Sequence, residues 1–216
     1  MSILSDCLAE YRKGITGCLY LGAHTGQEAP LFVEHGINNV CWVEANPELI
    51  PRLEAAVIPL GHKTAWRAIW HESGVELPFH VSNKDGSSSS LLDFRTHRER
   101  YPSIEYVNSY AMPTITVDDL ARHMSLRKMN LLVMDLQGAE GHALQGSYDF
   151  LEGVDFICTE INFEEVYQGC YQVADIEACL PDFTCRAVMD TSKGWGEALY
   201  VRQRQSALDL LSEFRR

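Results

Sequence analysis

The stretch LYLGAHTGQEAP, residues 19–30, ends a short apolar run on Gly22 and Gly26, with Ala23 and His24 between them and Glu28 just beyond. Glycine lets backbone pass close to a ligand and accepts positive φ. A second apolar run, NVCWVE, ends on Glu44 and leads into Ala45 and Asn46. A glycine turn after one strand and an acid closing the next can hold a nucleoside: backbone at one side, carboxylate on the two ribose hydroxyls. For GAHTG alone, an ordinary tight turn is the plain alternative. Dinucleotide sites use G-x-G-x-x-G, which admits a pyrophosphate at a helix N-terminus. This chain has G-x-x-x-G without the third glycine, so S-adenosylmethionine fits better. A nicotinamide-dependent oxidoreductase is the alternative that the missing glycine disfavours.

Two later apolar runs also end on acids: NLLVMDL carries Asp135, and the run from Val154 to Ile161 carries Glu160. A carboxylate leaving a dry strand is expected to have a raised pKa and to serve as a general base. Asp135 is that candidate; the alternative is that it caps the next helix or holds the Gln137-Gly138 turn. Glu160 beside it would share a proton, bind substrate hydroxyls or, with Asp135, hold a divalent cation. His142 is a third catalytic candidate, with a helix-surface role as its alternative. His24 is either a base or a hydrogen-bonded turn residue.

The elements that position these groups alternate. Strands are expected at Gly17–Leu21, Asn39–Glu44, Lys63–Trp70, Asn130–Leu136, Val154–Ile161, Phe183–Met189 and Glu197–Val201. Val75–Val81 is expected as a returning hairpin strand, and Tyr106–Val117 is rich in β-formers. Helices are expected after Gly26, with a Thr25-x-x-Glu28 capping box, and after Asn46-Pro47 as N-cap and first-turn proline. Further helical patterns occupy Val117–Met124, the Leu144/Tyr148/Leu151 stripe, Asp175–Leu180 and the tail from Gln205. This alternation predicts an α/β fold with a doubly wound, mainly parallel sheet. The candidate residues would then gather beyond one edge of it. Asn83–Ser90 (NKDGSSSS) reads as a functional loop, and residues 1–216 as a single domain with an inserted polar and β segment around 74–116.

The chain has 216 residues and a formal net charge of −12. That balance disfavours nucleic acid and anionic membrane surfaces; His97-Arg98-Glu99-Arg100 is one short candidate for a local basic patch, with a solvated helix face as its alternative. Seven scattered cysteines without C-x-x-C predict reduced, mostly buried thiols in a cytoplasmic protein. No apolar run has membrane-spanning length. Oligomeric state is open, a homo-oligomer included.

LGAHTGQE, WVEANPELIPRL, SNKDGSSSSLLDF, TITVDDL, LLVMDLQGAEGHALQGS, TEINFEEVYQGC and GWGEALYVR follow one another over residues 17–202. In this order they resemble the FkbM-type methyltransferases. The resemblance implies a class I, Rossmann-like methyltransferase fold, S-adenosylmethionine as methyl donor, and O-methylation, often of sugar or polyketide hydroxyls, on a small-molecule or glycan acceptor. A cofactor-binding domain without catalysis is the alternative. By position, Gly22 to Gly26 resemble the methionine-side loop, Glu44 with Ala45 and Asn46 the ribose site, and Ala68 and Ile69 the adenine sandwich. Ser87 to Ser90, Ser88 among them, match a serine loop, and Asp135, Gln137, Gly138 and Glu140 match the family's D-x-E-G-x-E segment. Tyr20 stands where the family often has Asp, His24 where Asn is common, and Gln137 where Glu is common. Tyr167, Trp195 and Tyr200 are candidate flat surfaces for a sugar ring.

Overall fold

The structure, a computed structural model, describes residues 2–203; the helical tail expected from Gln205 lies outside the described residues. Helix α1 (Ile3–Tyr11) opens the chain, capped by Ser2, whose side chain accepts from Ser5 N–H. Next come β1 (Cys18–Leu21), α2 (Ala29–Glu34), β2 (Val40–Glu44), α3 (Ile50–Val57), β3 (Lys63–Trp66) and β4 (Ala68–Ile69). The middle holds β5 (Glu76–Ser82), α4 (His97–Arg100), β6 (Tyr106–Ile115), α5 (Val117–His123) and β7 (Leu131–Met134). The last third is α6 (Glu140–Gln145), α7 (Tyr148–Leu151), β8 (Phe156–Asn162), α8 (Val173–Cys179), β9 (Phe183–Asp190) and β10 (Trp195–Arg202).

Seven strands form one sheet in the order β3-β2-β1-β7-β8-β10-β9. All neighbours are parallel except β10, which is antiparallel to β8 and β9. The chain winds outward from β1 to β3, then restarts at β7 and winds the other way, so the strand order reverses between β1 and β7. Open α/β sheets bind ligands beyond the strand ends at such a reversal. Side-chain alternation sends Cys18, Tyr20, Leu131 and Val133 into a core shared with α1, α2 and α3. It sends Leu19, Leu21, Leu132 and Met134 into a second core with α5, α6 and α8. Strands buried on both faces are apolar throughout, which is why β1, β2 and β7 are legible as uninterrupted runs.

Several expectations are corrected. The run from Lys63 to Trp70 is two strands, not one. β4 leaves the main sheet at Arg67 and pairs with β6, in a second sheet of order β4-β6-β5. β5 is not a hairpin partner of the third strand; it pairs antiparallel with β6. The Thr25/Glu28 capping box does not form: α2 has no side-chain cap, and Thr25 Oγ1 donates to Gln27 Oε1 at 3.0 Å. Asn46 caps a turn rather than a helix, its Oδ1 accepting from Glu48 N–H at 3.0 Å, and α3 begins later with Pro51 in its first turn. The Leu144/Tyr148/Leu151 stripe is split between α6 and α7, with Tyr148 83% exposed. His97 is not on a solvated face: it is buried, its ring stacked 4.1 Å from Phe94. The cysteines are free thiols, five of the seven buried. No helix among the described residues is long and apolar enough to cross a membrane.

Candidate functional site

Gly22 and Asp135 leave β1 and β7 side by side at the reversal. Gly22 has φ 80, and a Cβ there would overlap the Asp135 carbonyl oxygen, so the glycine is required by the neighbouring strand as much as by any ligand. Two adjoining cavities open around this point. Tyr20, Ser87, Asp135 and Gln137 line both.

The first cavity, of about 150 Å³, has Gly22, His24, Glu44 and Ala45 on one side and Ala68, Ile69, Phe79 and Leu91 on another. Glu44 is held by main chain: Oε2 accepts from His24 N–H and Oε1 from Asn46 N–H, both at 2.7 Å. Burial raises its pKa, and those two bonds pull against the rise. A carboxylate oxygen has more than one acceptor position, so the fixed Glu44 can still receive hydroxyls from the cavity. Beside it, Ala45, Ile69, Phe79 and Leu91 offer an apolar slot for a base. This acceptor and wall chemistry fits S-adenosylmethionine.

Of the expected cofactor residues, Gly22, His24, Glu44, Ala45, Ala68, Ile69, Asp135 and Gln137 line this cavity. Others do not. Ala23 is fully buried in the core, and Gly26 packs on Leu53 and Val57 of α3. Asn46 acts from behind Glu44. Glu28 and Ser88 face the second cavity. His24 is a turn residue rather than a base. It sits at φ 48, with Nε2 bonded to the Asp85 carbonyl at 2.7 Å. That bond pins the 83–90 loop over the cavity, and Arg52 reinforces it with a 2.7 Å ion pair to Asp85.

The second cavity, of about 320 Å³, lies under the N-terminus of α1 and is walled by Tyr20, Tyr101, Tyr167 and Trp195. Asp135, Glu160, Glu197 and Glu28 line it. Gln137 is its hub. Tyr167 donates its hydroxyl to Gln137 Oε1 at 2.5 Å, which turns the amide nitrogen toward the acids. Nε2 then donates to Asp135 Oδ1 at 2.6 Å and to Glu160 Oε2 at 3.1 Å. The backbone of Gln137 is strained to hold this pose, at φ 53, and Ser90 Oγ donates to its carbonyl at 2.8 Å. His24, Asp85 and Gln137 are three of the six non-glycine residues with positive φ among those described, and strain of this kind collects at functional sites.

Asp135 is set deep among protein atoms, yet its carboxylate is open to the cavities. Desolvation raises its pKa, and the Gln137 bond opposes that. Glu160 is raised further, by burial and then by the charges of Asp135, Glu140 and Glu197. Glu140 is a structural group. Its Oε1 accepts from Leu136 N–H at 2.6 Å and its Oε2 from Gly138 N–H at 3.0 Å. It therefore braces the turn that carries Asp135 and Gln137, with a pKa raised to about 8, chiefly by burial.

The Asp135–Glu160 cation site is not supported by this geometry. An amide donor sits between the two acids where a metal needs acceptors, and the described residues contain no group of three His, Cys, Asp or Glu side chains placed to hold an ion. His142 is not in the site either. It lines neither cavity, and stacks 3.8 Å from Trp70 with Nδ1 3.2 Å from that of His71. Tyr200 is buried in the opposite core, whereas Tyr167 and Trp195 do line the second cavity. Sequence reading missed Phe79, Leu91 and Glu197, and noted Tyr20 only as a departure. Glu197 alone carried a signal: counting by twos from Leu199 puts it on the face of Cys158 and Glu160.

Comparison with known proteins agrees with this architecture. The chain is 26% identical over 172 residues to the 2-O-methyltransferase NoeI of Sinorhizobium fredii, covering 76% of this chain and 71% of that one. Among solved structures, an S-adenosylmethionine-dependent methyltransferase from Clostridium acetobutylicum superposes with TM-score 0.51 at 11% identity, over 93% of this chain and 91% of the other. A protein of the NADB-Rossmann superfamily from Streptococcus agalactiae gives TM-score 0.52 at 12% identity, over 95% and 70%. At such identities the two structures speak for a Rossmann-like fold alone. The family model of the methyltransferase FkbM domain matches residues 21–187, most of the chain, and the protein belongs to that family of methyltransferases.

Proposed function

We propose that this protein transfers the methyl group of S-adenosylmethionine to a hydroxyl of a sugar or glycan, with Asp135 as general base. The family assignment sets aside the oxidoreductase alternative. The observation that carries the proposal is the meeting of two cavities at Asp135 and Gln137, one with a main-chain-held acid and an apolar slot, the other lined by acids and aromatic rings. S-adenosylmethionine supplies an electrophilic methyl group when bound. Glu44 would hold its ribose, and Ala68, Ile69, Phe79 and Leu91 its adenine. The acceptor would lie in the second cavity, between the rings of Tyr167 and Trp195. A sugar hydroxyl gives up its proton reluctantly, so a base held at the reacting oxygen lowers the barrier. Asp135 is that base, oriented by the Gln137 amide. Glu160, its pKa raised by burial and then by the charges of its acid neighbours, would hold a second polar group of the acceptor. The whole chain acts as one domain with the 74–116 segment inserted, and the free thiols suit the cytoplasm. The net charge of −12 argues against a nucleic-acid acceptor.

Calorimetry with S-adenosylhomocysteine, followed by a labelled-methyl screen of sugars and oligosaccharides, tests this. Saturable binding and label in an alkali-stable ether are expected. Absence of cofactor binding, or label only in acceptors without hydroxyls, would overturn it.

A further inference from the structure

The second cavity gathers more acids than hydroxyl recognition needs: Asp135, Glu160, Glu197 and Glu28. Glu160 and Glu197 are directly opposite each other on β8 and β10, on one face of the sheet, and like charges in that position are destabilising. Glu197 is held by Ile3 N–H at 3.0 Å, at the N-terminus of nine-residue α1. Glu28 adds a third acid with Oε2 buried and unpartnered. Lys84 is the one Lys or Arg among the lining residues and is exposed on its loop, while His97 is kept neutral by burial and by Lys84, its pKa lowered to about 4.

Two observations independent of the acids point to a ligand. His97, only 4% exposed, keeps Nδ1 without a partner on the wall of this cavity. Four aromatic residues also line it: Tyr20, Tyr101, Tyr167 and Trp195, and the Tyr101 ring already takes the Lys193 ammonium 5.0 Å from its centre. Carboxylates combined with aromatic rings form the setting that recognises an ammonium ion, through charge-assisted hydrogen bonds and cation–π contact. Neutral polyols also use acids and rings, but they bring no charge to offset two opposed carboxylates. Anionic acceptors would be repelled.

We infer that the acceptor carries a protonated amine beside its hydroxyls, and that the Glu160–Glu197 pair is the seat of that ammonium group. The inference rests on the methyl-transfer reading above and narrows its acceptor to amino sugars and other hydroxylated amines. An ammonium there would relieve the opposed carboxylates and leave Asp135 free for the reacting hydroxyl.

The test uses the full chain with S-adenosylhomocysteine, at a pH where the amine is protonated. Affinities are measured for a hexosamine, its N-acetyl form, the parent hexose and the hexose 6-phosphate. The hexosamine should bind about tenfold or more tighter than the neutral hexose, as one charge-assisted contact supplies, and the phosphate weakest. Glu197→Gln should bring the hexosamine-to-hexose ratio close to one. Because Glu197 also anchors α1, Glu28→Gln serves as a second variant, which should reduce the ratio less. Equal affinity for hexosamine and hexose in the wild-type protein, or preference for the phosphate, would overturn the inference while S-adenosylhomocysteine binding stands. Failure of S-adenosylhomocysteine itself to bind would overturn the underlying reading and this one with it.

Discussion

The two cavities share Tyr20, Ser87, Asp135 and Gln137 and are built in opposite ways. In the cofactor cavity the one central acid, Glu44, is satisfied by main-chain N–H groups of adjacent turns. In the proposed acceptor cavity the two acids at its centre meet a side chain: Gln137 bridges Asp135 and Glu160, and Tyr167 orients Gln137. Main-chain contacts survive most substitutions, whereas a side-chain network changes with each of its members. The first cavity is therefore suited to one unvarying ligand and the second to a specificity that can drift.

Asp135→Asn separates the two most sharply. Turnover should fall by about 10²–10⁴-fold, the usual contribution of a general base. Affinity for S-adenosylhomocysteine, measured by calorimetry, should change by no more than a few-fold. An equal loss of binding would mean that Asp135 belongs to the cofactor cavity alone. Glu44→Ala should show the reverse: cofactor affinity weakened about 10–100-fold, since hydrogen bonds to a charged group contribute roughly 1.5–3 kcal/mol, while any residual turnover at saturating donor stays near wild type. Unchanged affinity would remove Glu44 as the ribose acid.

This contrast also explains what could be read from the sequence. Glu44, Gly22 and Asp135 follow strands so apolar that their ends are visible as the first polar residue, and parallel α/β winding then brings those ends together. The strand break at Arg67 was hidden because Lys63–Trp70 keeps its β-forming composition while changing sheets. Phe79 and Leu91 reach the cofactor cavity from the second sheet and the loop beyond it, and no local pattern marks them. Gln137 was visible as a departure, but its bridging role depends on Tyr167, thirty residues away, and on a positive φ that a glutamine does not advertise. His142 misled because the turn braced by Glu140 directs it to Trp70 instead of the cleft.

Gln137→Glu probes the acceptor cavity by charge. It replaces the bridging donor with a further acid, so Asp135 should hold its proton to higher pH. Activity requires the ionised base and falls as pH drops. The acidic limb of the kcat/KM profile should therefore move up by about one unit, which is tenfold at a pH on that limb. An unmoved limb would show that the amide does not tune the base.

Glu140→Gln tests the brace. Between the ordinary value of 4.5 and about 8, the folded protein holds a proton on Glu140 that the unfolded chain releases. Stability from this group is therefore full below the lower pH and is lost as pH rises through the upper one. The variant should show a flatter decline of Tm with pH over that window, together with a lower Tm at acid pH because one of the two N–H acceptors is gone. A decline as steep as wild type would assign the pH dependence to other buried acids, Glu160 first.

The smallest effect should come from Arg52→Ala. Asp85 holds the loop over the cofactor cavity by two contacts, its carbonyl on His24 and its carboxylate on Arg52. The ion pair is open to solvent, with side chains 54% and 63% exposed, and exposed pairs contribute little and are screened by salt. The His24 bond, lying against the cavity, remains in the variant. Cofactor affinity should then change by less than about threefold, the scale of an exposed pair, and lose what little salt dependence it has. A loss greater than tenfold would show that the loop is closed from outside. The cofactor cavity would then depend on side chains as much as its neighbour does, and the main distinction between the two would be gone.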